Sequence, residues 1–291
     1  MTTNNDHRQS LEDEIADLER RLRDAKNQLK GTQTPASRPL GPSSDDALHT
    51  LLLLADSALP LGSFAFSSGL ESFLAHHRPS LPSQSQVPSF HHFLRLSICT
   101  LASTAIPYVI AAYRDPSLIA DLDNDFDAST PCTVARRASI AQGRALLAVW
   151  DRSFKSQHGN PAADTAEALS ALKDFQVLLR ASKSNAFLAP NAHLAPLWGL
   201  LTRVLGLPLQ DAVYVFLFSH ARTVTSAGVR ASVLGPYQAQ AVLASGELRE
   251  RLWSCVEEYW DTPVEEAGQN APAVDLWVGR HEKLYSRIFN S

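Results

Sequence analysis

The sequence predicts an all-α fold: a single multi-helix body over residues 47–291, preceded by a short coiled-coil-like helix and a flexible linker over 1–46. Three observations carry this. From about residue 45 onward the apolar residues recur almost everywhere at helical spacing. No segment shows the strict alternation of a half-buried strand, and no internal repeat appears. At 291 residues with 45% hydrophobic side chains, the chain is also long enough to bury a sizeable core.

Residues 11–30 open the pattern, with Leu11, Ile15, Leu18, Leu22, Ala25 and Leu29 separated alternately by four and three positions, a heptad seam. Acidic Glu12, Asp13 and Glu14 come early and basic Lys26 and Lys30 late, as the helix dipole favours, and Gly31 stops the element. Residues 31–46 carry three prolines and no apolar period, the pattern of a linker. Ser44 or Asp45 can cap a helix running through Leu48, Leu51, Leu52 and Ala55. Phe90, Phe93, Leu94, Ile98 and Leu101 form the next face, which Pro107 is expected to kink or end. Two segments, 78–89 and 115–131, read as surface insertions, the first rich in proline and serine, the second acidic and turn-rich. Val134, Ala138, Ala141, Ala145, Leu146 and Val149 predict a helix whose small residues allow close approach. After a break at Gly159-Asn160-Pro161 come helical segments near 169–179, 191–205, 208–227, 236–246, 248–260 and 275–289. The run Val213–Phe218 has strand propensity, but Leu209, Ala221 and Val224 extend it at helical spacing, so it reads as a buried helix.

With 26 basic against 30 acidic residues, the net charge of −4 gives no electrostatic case for nucleic acid or an anionic membrane. The uninterrupted apolar runs, Leu51–Ala55 and Val213–Phe218, are too short to span a bilayer, and the N-terminus lacks the order of a secretory signal. Three cysteines, odd in number and far apart, disfavour a disulfide framework and fit a reducing compartment, so a cytoplasmic protein is expected.

The familiar catalytic signatures are mostly missing. There is no Gly-Lys pair for a phosphate-binding loop, no C-x-x-C, no G-x-S-x-G and no G-x-G-x-x-G. His281-Glu282 begins like a zinc-protease motif, but Tyr285 stands where the second histidine belongs. His76-His77 and His91-His92 bracket the 78–89 segment and could meet around a metal. Adjacent helical histidines point about 100° apart, however, which favours ordinary surface positions. Two stretches are unusual. Between Ala55 and Ser72, Pro60, Gly62 and Gly69 punctuate a run in which Phe64 and Phe66 sit among small hydroxylated residues. A helix–loop–helix connection explains it, with Ser67 or Ser68 as cap and Glu71 as its capping-box partner. Between Thr223 and Gln240, Arg230 lies in an apolar neighbourhood and Gly235-Pro236 forces a break before Tyr237. A snorkelling arginine beside a turn accounts for that stretch, and so does an interface anchor.

These stretches resemble the UreF family of urease accessory proteins. The early block stands as Leu52, Asp56, Ser57, Pro60, Gly62, Phe64, Ser67, Gly69, Leu70 and Glu71. A middle block is carried by His193, Gly199, Leu205 and Gly206, and a later one by Val229, Arg230, Leu234, Gly235 and Gln240. The ending matches through His281, Glu282, Leu284, Tyr285, Arg287, Phe289 and Ser291. Phe66 and Pro236 depart from the family pattern, and the heptad and Ser/Pro insertions look like eukaryotic, fungal-type elaborations. The resemblance implies a non-enzymatic, dimeric assembly factor. Such a protein would bind the UreD (UreH)-type protein, recruit the nickel-carrying GTPase UreG, and support nickel insertion into apo-urease. It implies no tightly bound cofactor or metal: nickel would be handled by the complex and GTP bound by UreG. By the same resemblance the tail with Tyr285, Arg287 and Phe289 faces the UreD-type partner. Arg230 and the loop through Tyr237 and Gln240 serve UreG recruitment or the dimer face, and residues 56–71 organise the core and line a partner surface. A generic coiled-coil adaptor and a metal-dependent enzyme using His76, His77, His91 and His92 remain the alternatives.

Overall fold

The structure, a computed structural model, describes residues 42–77, 85–158, 165–181 and 190–290. The chain divides into two units, Met1–Asp45 and Asp46–Ser291. The heptad at 11–30 and the linker as far as residue 41 lie outside the described residues, as does the 78–84 portion of the Ser/Pro segment. All described secondary structure is helical. Helix α1 spans Pro42–Ala55, and α2, Leu70–His76, follows a single 3-10 turn at Ser63–Ala65. Next come α3, Val87–Arg114, and α4, Ile119–Ser129. Helix α5, Thr133–Val149, continues through a π turn at Trp150–Phe154 into Lys155–His158. The remainder are α6 (Ala166–Ala181), α7 (Leu194–Val204), α8 (Leu209–Arg230), α9 (Pro236–Leu243), α10 (Gly246–Glu258) and α11 (Pro272–Arg280).

The body is organised around α7. Nine of its eleven residues are buried, which marks a helix enclosed on all sides and not one packed on a single stripe. It contacts α3, α4, α5, α6 and α8. Gly199 is what lets α3 come so close: a Cβ there would stand 2.0 Å from the Val109 carbonyl oxygen. The Trp198 indole N–H donates to the Ala212 carbonyl at 2.9 Å, tying α7 to α8. Val213, Phe216 and Leu217 are buried within α8, so the strand-like run is helical as its flanks indicated.

Several expectations require correction. Helix α1 begins at Pro42, ahead of the Ser44 or Asp45 cap; proline is tolerated in the first turn because a backbone N–H there would find no intrahelical acceptor. Pro107 does not end its element: α3 runs 28 residues through it. Proline cannot donate to the carbonyl four residues back, and that carbonyl, of Ser103, instead accepts the Gly268 N–H at 3.3 Å. Residues 116–129 are not a surface insertion but a 3-10 turn and α4, burying Ile119, Leu122, Asp123 and Phe126. The last helix stops at Arg280, and after a 3-10 turn at His281–Lys283 the tail is non-helical, in place of a helix to 289. Among the described residues α3 alone is long and apolar enough to cross a membrane, which the short uninterrupted runs did not reveal; 67% of its apolar window is buried inside the body.

Candidate functional site

The first, third and last motif blocks meet at one place. Helices α1 and α2 are joined by a connection in which the Asp56 carboxylate accepts the Ala58 N–H at 2.9 Å. Ser68 and Gly69 both take positive φ, 53° and 90°. At Gly69 a Cβ would also lie 3.0 Å from the backbone nitrogen of Val278, so this corner requires glycine and seats α2 against α11. Gly69, not Ser67 or Ser68, occupies the N-cap position of α2 and offers no side-chain cap, although the Ser67 hydroxyl accepts the Glu71 N–H at 3.4 Å.

Glu71 is therefore not a capping-box partner. Its carboxylate turns to the far end of the chain, accepting His281 Nε2–H at 2.7 Å, the Ile288 N–H at 2.7 Å and the Phe289 N–H at 3.2 Å. His281 is fully buried and the Glu71 side chain only 12% exposed, so these charge-assisted bonds are shielded from water. The Asn290 N–H completes the docking by donating to the Ala65 carbonyl at 2.8 Å. Phe289 is buried, and the Arg230 guanidinium at the end of α8 lies 4.3 Å from its ring centroid. Burial pulls the Arg230 pKa below its ordinary value. Glu71, Arg230, His281 and Phe289 thus form a clamp that holds the tail onto α2, with Ser67 and Leu70 buried beneath.

The remaining motif residues stand outside the clamp. Asp56, Ser57, Pro60, Gly235, Gln240 and Arg287 are exposed, and Gly62 is half-buried. Phe64 is 70% exposed, Tyr237 92%, and Tyr285 fully so. Glu282, also at the surface, pairs with Arg137 at 2.8 Å, and that guanidinium holds its carboxyl below the usual value. Phe64, Tyr237 and Tyr285 are thus large side chains exposed to solvent on three of the motif blocks.

The family profile for UreF matches residues 86–247. A protein of Schizosaccharomyces pombe named "uncharacterized urease accessory protein UreF-like" is 33% identical over 248 residues, covering 85% of this chain and 99% of its own. The chain belongs to the UreF family. Urease accessory protein 6 of Cryptococcus neoformans is 27% identical, covering 87% of this chain and 99% of its own. Urease accessory protein F of Arabidopsis thaliana is 28% identical, covering 82% and 90%.

Beside the clamp, this UreF family member carries a cavity of 330 Å³ whose walls mix hydroxyl groups with small apolar side chains. On one wall the Ser97 hydroxyl bonds His220 Nε2 at 2.7 Å. Enclosure by protein pulls the His220 pKa down to about 4, so the imidazole is neutral at pH 7. On another, Ser139 bonds His193 Nδ1 at 3.1 Å while His193 Nε2–H donates to Asp127 at 2.9 Å. That order of residues resembles an acid–base triad. Here, however, Asp127 is also gripped by the Arg136 guanidinium through Nε and Nη2, and Ser139 Oγ accepts the Leu194 N–H at 3.2 Å. The hydroxyl thus acts as a helix cap for α7. Asp123, fully buried, does similar work one step earlier, accepting the N–H groups of Asn191 (2.5 Å), Ala192 (3.1 Å) and His193 (2.6 Å). Asp123 and Asp127 fell in the acidic segment read as a loop; the spacing of Ile119, Leu122 and Phe126 was the signal for a helix there.

The four histidines weighed as a metal site do not converge. His76 and His77 donate through Nδ1 to the carbonyls of Ser72 and Phe73 at 2.7 and 2.9 Å in their own helix. His77 stacks on Phe73 at 4.1 Å, and His91 lies against Phe90. Among the described residues no three His, Cys, Asp or Glu side chains are placed to hold one ion.

Proposed function

We propose that this protein is a cytoplasmic, non-catalytic urease accessory factor that acts as a homodimer. In this reading it binds the UreD (UreH)-type protein, recruits the GTPase UreG and supports GTP-dependent nickel insertion into apo-urease. The observation that carries it is the clamp in a chain of this family: three of the four motif blocks meet in one place, and Tyr285 on the tail held there is exposed. Relatives across most of this chain's length bear the name urease accessory protein, which supports the assembly role. The clamp presents Tyr285 and Arg287 on a tail fixed by Glu71, and tyrosine and arginine are the side chains that dominate interface energetics. We assign this tail face to the UreD-type partner, and the exposed α8–α9 turn with Tyr237 and Gln240 to UreG or the dimer contact. Nickel and GTP belong to the complex, and this chain holds neither tightly.

Two measurements test the reading. Urease from cells lacking this gene should be present at normal level yet nickel-poor and inactive; fully loaded, active enzyme would end the proposal. Tyr285→Ala with Arg287→Ala should weaken co-purification of the UreD-type partner tenfold or more while leaving the unfolding midpoint unchanged. Undiminished co-purification would remove the tail from that interface.

A further inference from the structure

The cavity beside the clamp is walled by α3, α4, α5, α7, α8, the α1–α2 connection and the segment between Ala267 and Val278. Its hydroxyl groups make it look polar, but most of them already spend their protons on protein. Thr104 donates to the Thr100 carbonyl at 2.8 Å, Thr130 to that of Phe126 at 2.7 Å and Thr223 to that of Ser219 at 2.9 Å. Ser63 donates to Gln142 Oε1 at 3.0 Å, and Ser97 and Ser139 are bonded to histidines. Ser219 differs. It lines the cavity, yet its hydroxyl is shielded from water and has no partner. A turn about its Cα–Cβ bond is enough to offer that hydroxyl to an acceptor inside.

The rest of the wall is apolar and aromatic. Phe66, Phe126, Trp198 and Phe216 line it, the last two with ring centroids 5.8 Å apart. Among the described residues on its walls there is no lysine or arginine, and Asp275 is the single acid. An anion would meet that carboxylate without a counter-charge, and would lose its hydration as well. Water is held poorly too, since a buried water needs about two to four polar partners and few donors here are free. Replacing such water by an apolar body is favourable. At 330 Å³ the cavity lies at the small end of those that hold ligands, with room for about 15–20 non-hydrogen atoms.

We propose that this cavity binds a neutral, ring-bearing molecule of that size. Its apolar body lies among Phe66, Phe126, Trp198 and Phe216, and one acceptor oxygen takes the Ser219 hydroxyl proton. Aromatic walls favour a planar ring system, which stacks or meets them edge-on. Ser63, Phe66 and Ser68 belong to the connection that leads into the clamp at Glu71, so the same molecule braces that connection against α5 and α8.

The experiment is a fluorescence titration of the purified full chain with prodan, a neutral naphthalene dye that carries one ketone oxygen. A single blue-shifted site per chain is expected, with a Kd on the order of 100 μM, and a melting temperature that rises with dye concentration. Thr104→Phe on α3 and Ala138→Phe on α5 fill the cavity from two walls. Each should weaken binding roughly tenfold or more in a chain whose circular dichroism is unchanged. Ser219→Ala should weaken it about two- to tenfold, the worth of one hydrogen bond. Val177→Ser, at a 61% exposed position on α6, should leave it unchanged and so exclude surface adsorption. The anionic dye anilinonaphthalene sulfonate should bind roughly tenfold more weakly than prodan, or worse. Absence of a saturable prodan site, equal binding of the two dyes, or undiminished binding in both filled variants would overturn the proposal. The comparison of the two dyes on the wild-type chain decides even where the filled variants fail to fold.

Discussion

Glu71 draws together groups 210 to 218 positions away in sequence, so a single carboxylate fixes where the chain's last residues lie. Removing it leaves buried donors unpaired, which costs more than the net worth of the bonds themselves. Glu71→Gln keeps one acceptor oxygen but turns an amide N–H₂ toward at least one of the three donors; a loss of about 1–3 kcal/mol is expected in urea unfolding. Rapid proteolysis within 284–291 should accompany it, and a tail as resistant as wild type would show that Glu71 does not hold it. His220 gives a pH-dependent counterpart. Its folded pKa, about 4, lies below the unfolded value near 6.5, so between these the unfolded chain binds more protons. Stability from this group is therefore complete above about pH 6.5 and lost as pH falls toward 4. The ring keeps some exposure through the cavity, so the loss between pH 7 and pH 5 is set at about 1 kcal/mol, below the fully buried limit. His220→Asn should flatten that part of the stability–pH curve; an unchanged slope would assign it to other groups.

At the level of elements, the α3–α7 crossing depends on bare backbone. Gly199→Ala forces a methyl group into the Val109 carbonyl, and helices locked on both sides cannot shift cheaply, so about 3 kcal/mol or more of stability should be lost. A urea midpoint equal to wild type would mean the helices are further apart than described. Most of these helices were legible because each has one apolar stripe: α3, α5 and α8 show it plainly in the sequence. What escaped did so for identifiable reasons. In α4 the apolar spacing of Ile119, Leu122 and Phe126 was present, but the aspartates around it read as solvent-facing, whereas Asp123 is a buried anchor for backbone amides. Pro107 looked like a terminator because the compensating donor, Gly268, lies far along the chain. In the tail, Leu284 and Ile288 mimic helical spacing, yet Phe289 is the side chain that is buried and Ile288 is 62% exposed. The site was half legible. Motif residues could be found by pattern, but which of them are held in the clamp depends on contacts between distant positions, those of Glu71 spanning more than 200.

For the whole molecule, that division changes what a truncation would report. Deleting residues after Arg280 removes the exposed Tyr285 and Arg287, but it also removes His281 and Phe289 from the clamp. The Glu71 carboxylate would lose its three donors, and the Arg230 guanidinium would lose the ring beneath it. Partner loss and body loss would then be confounded. Phe289→Ala separates them, since it strips buried surface and leaves every exposed tail side chain in sequence. Large-to-small core changes of this kind cost about 3–5 kcal/mol; a ring seated at the body's edge should fall near the lower end. The loss should be local first, because α2 is short and joined to the body partly through this contact. Hydrogen exchange should therefore accelerate at Phe73 and Leu74 in α2 before it changes at Leu200 and Leu201 in α7. Uniform acceleration across both helices would show instead that the clamp and the α7-centred core unfold as one unit.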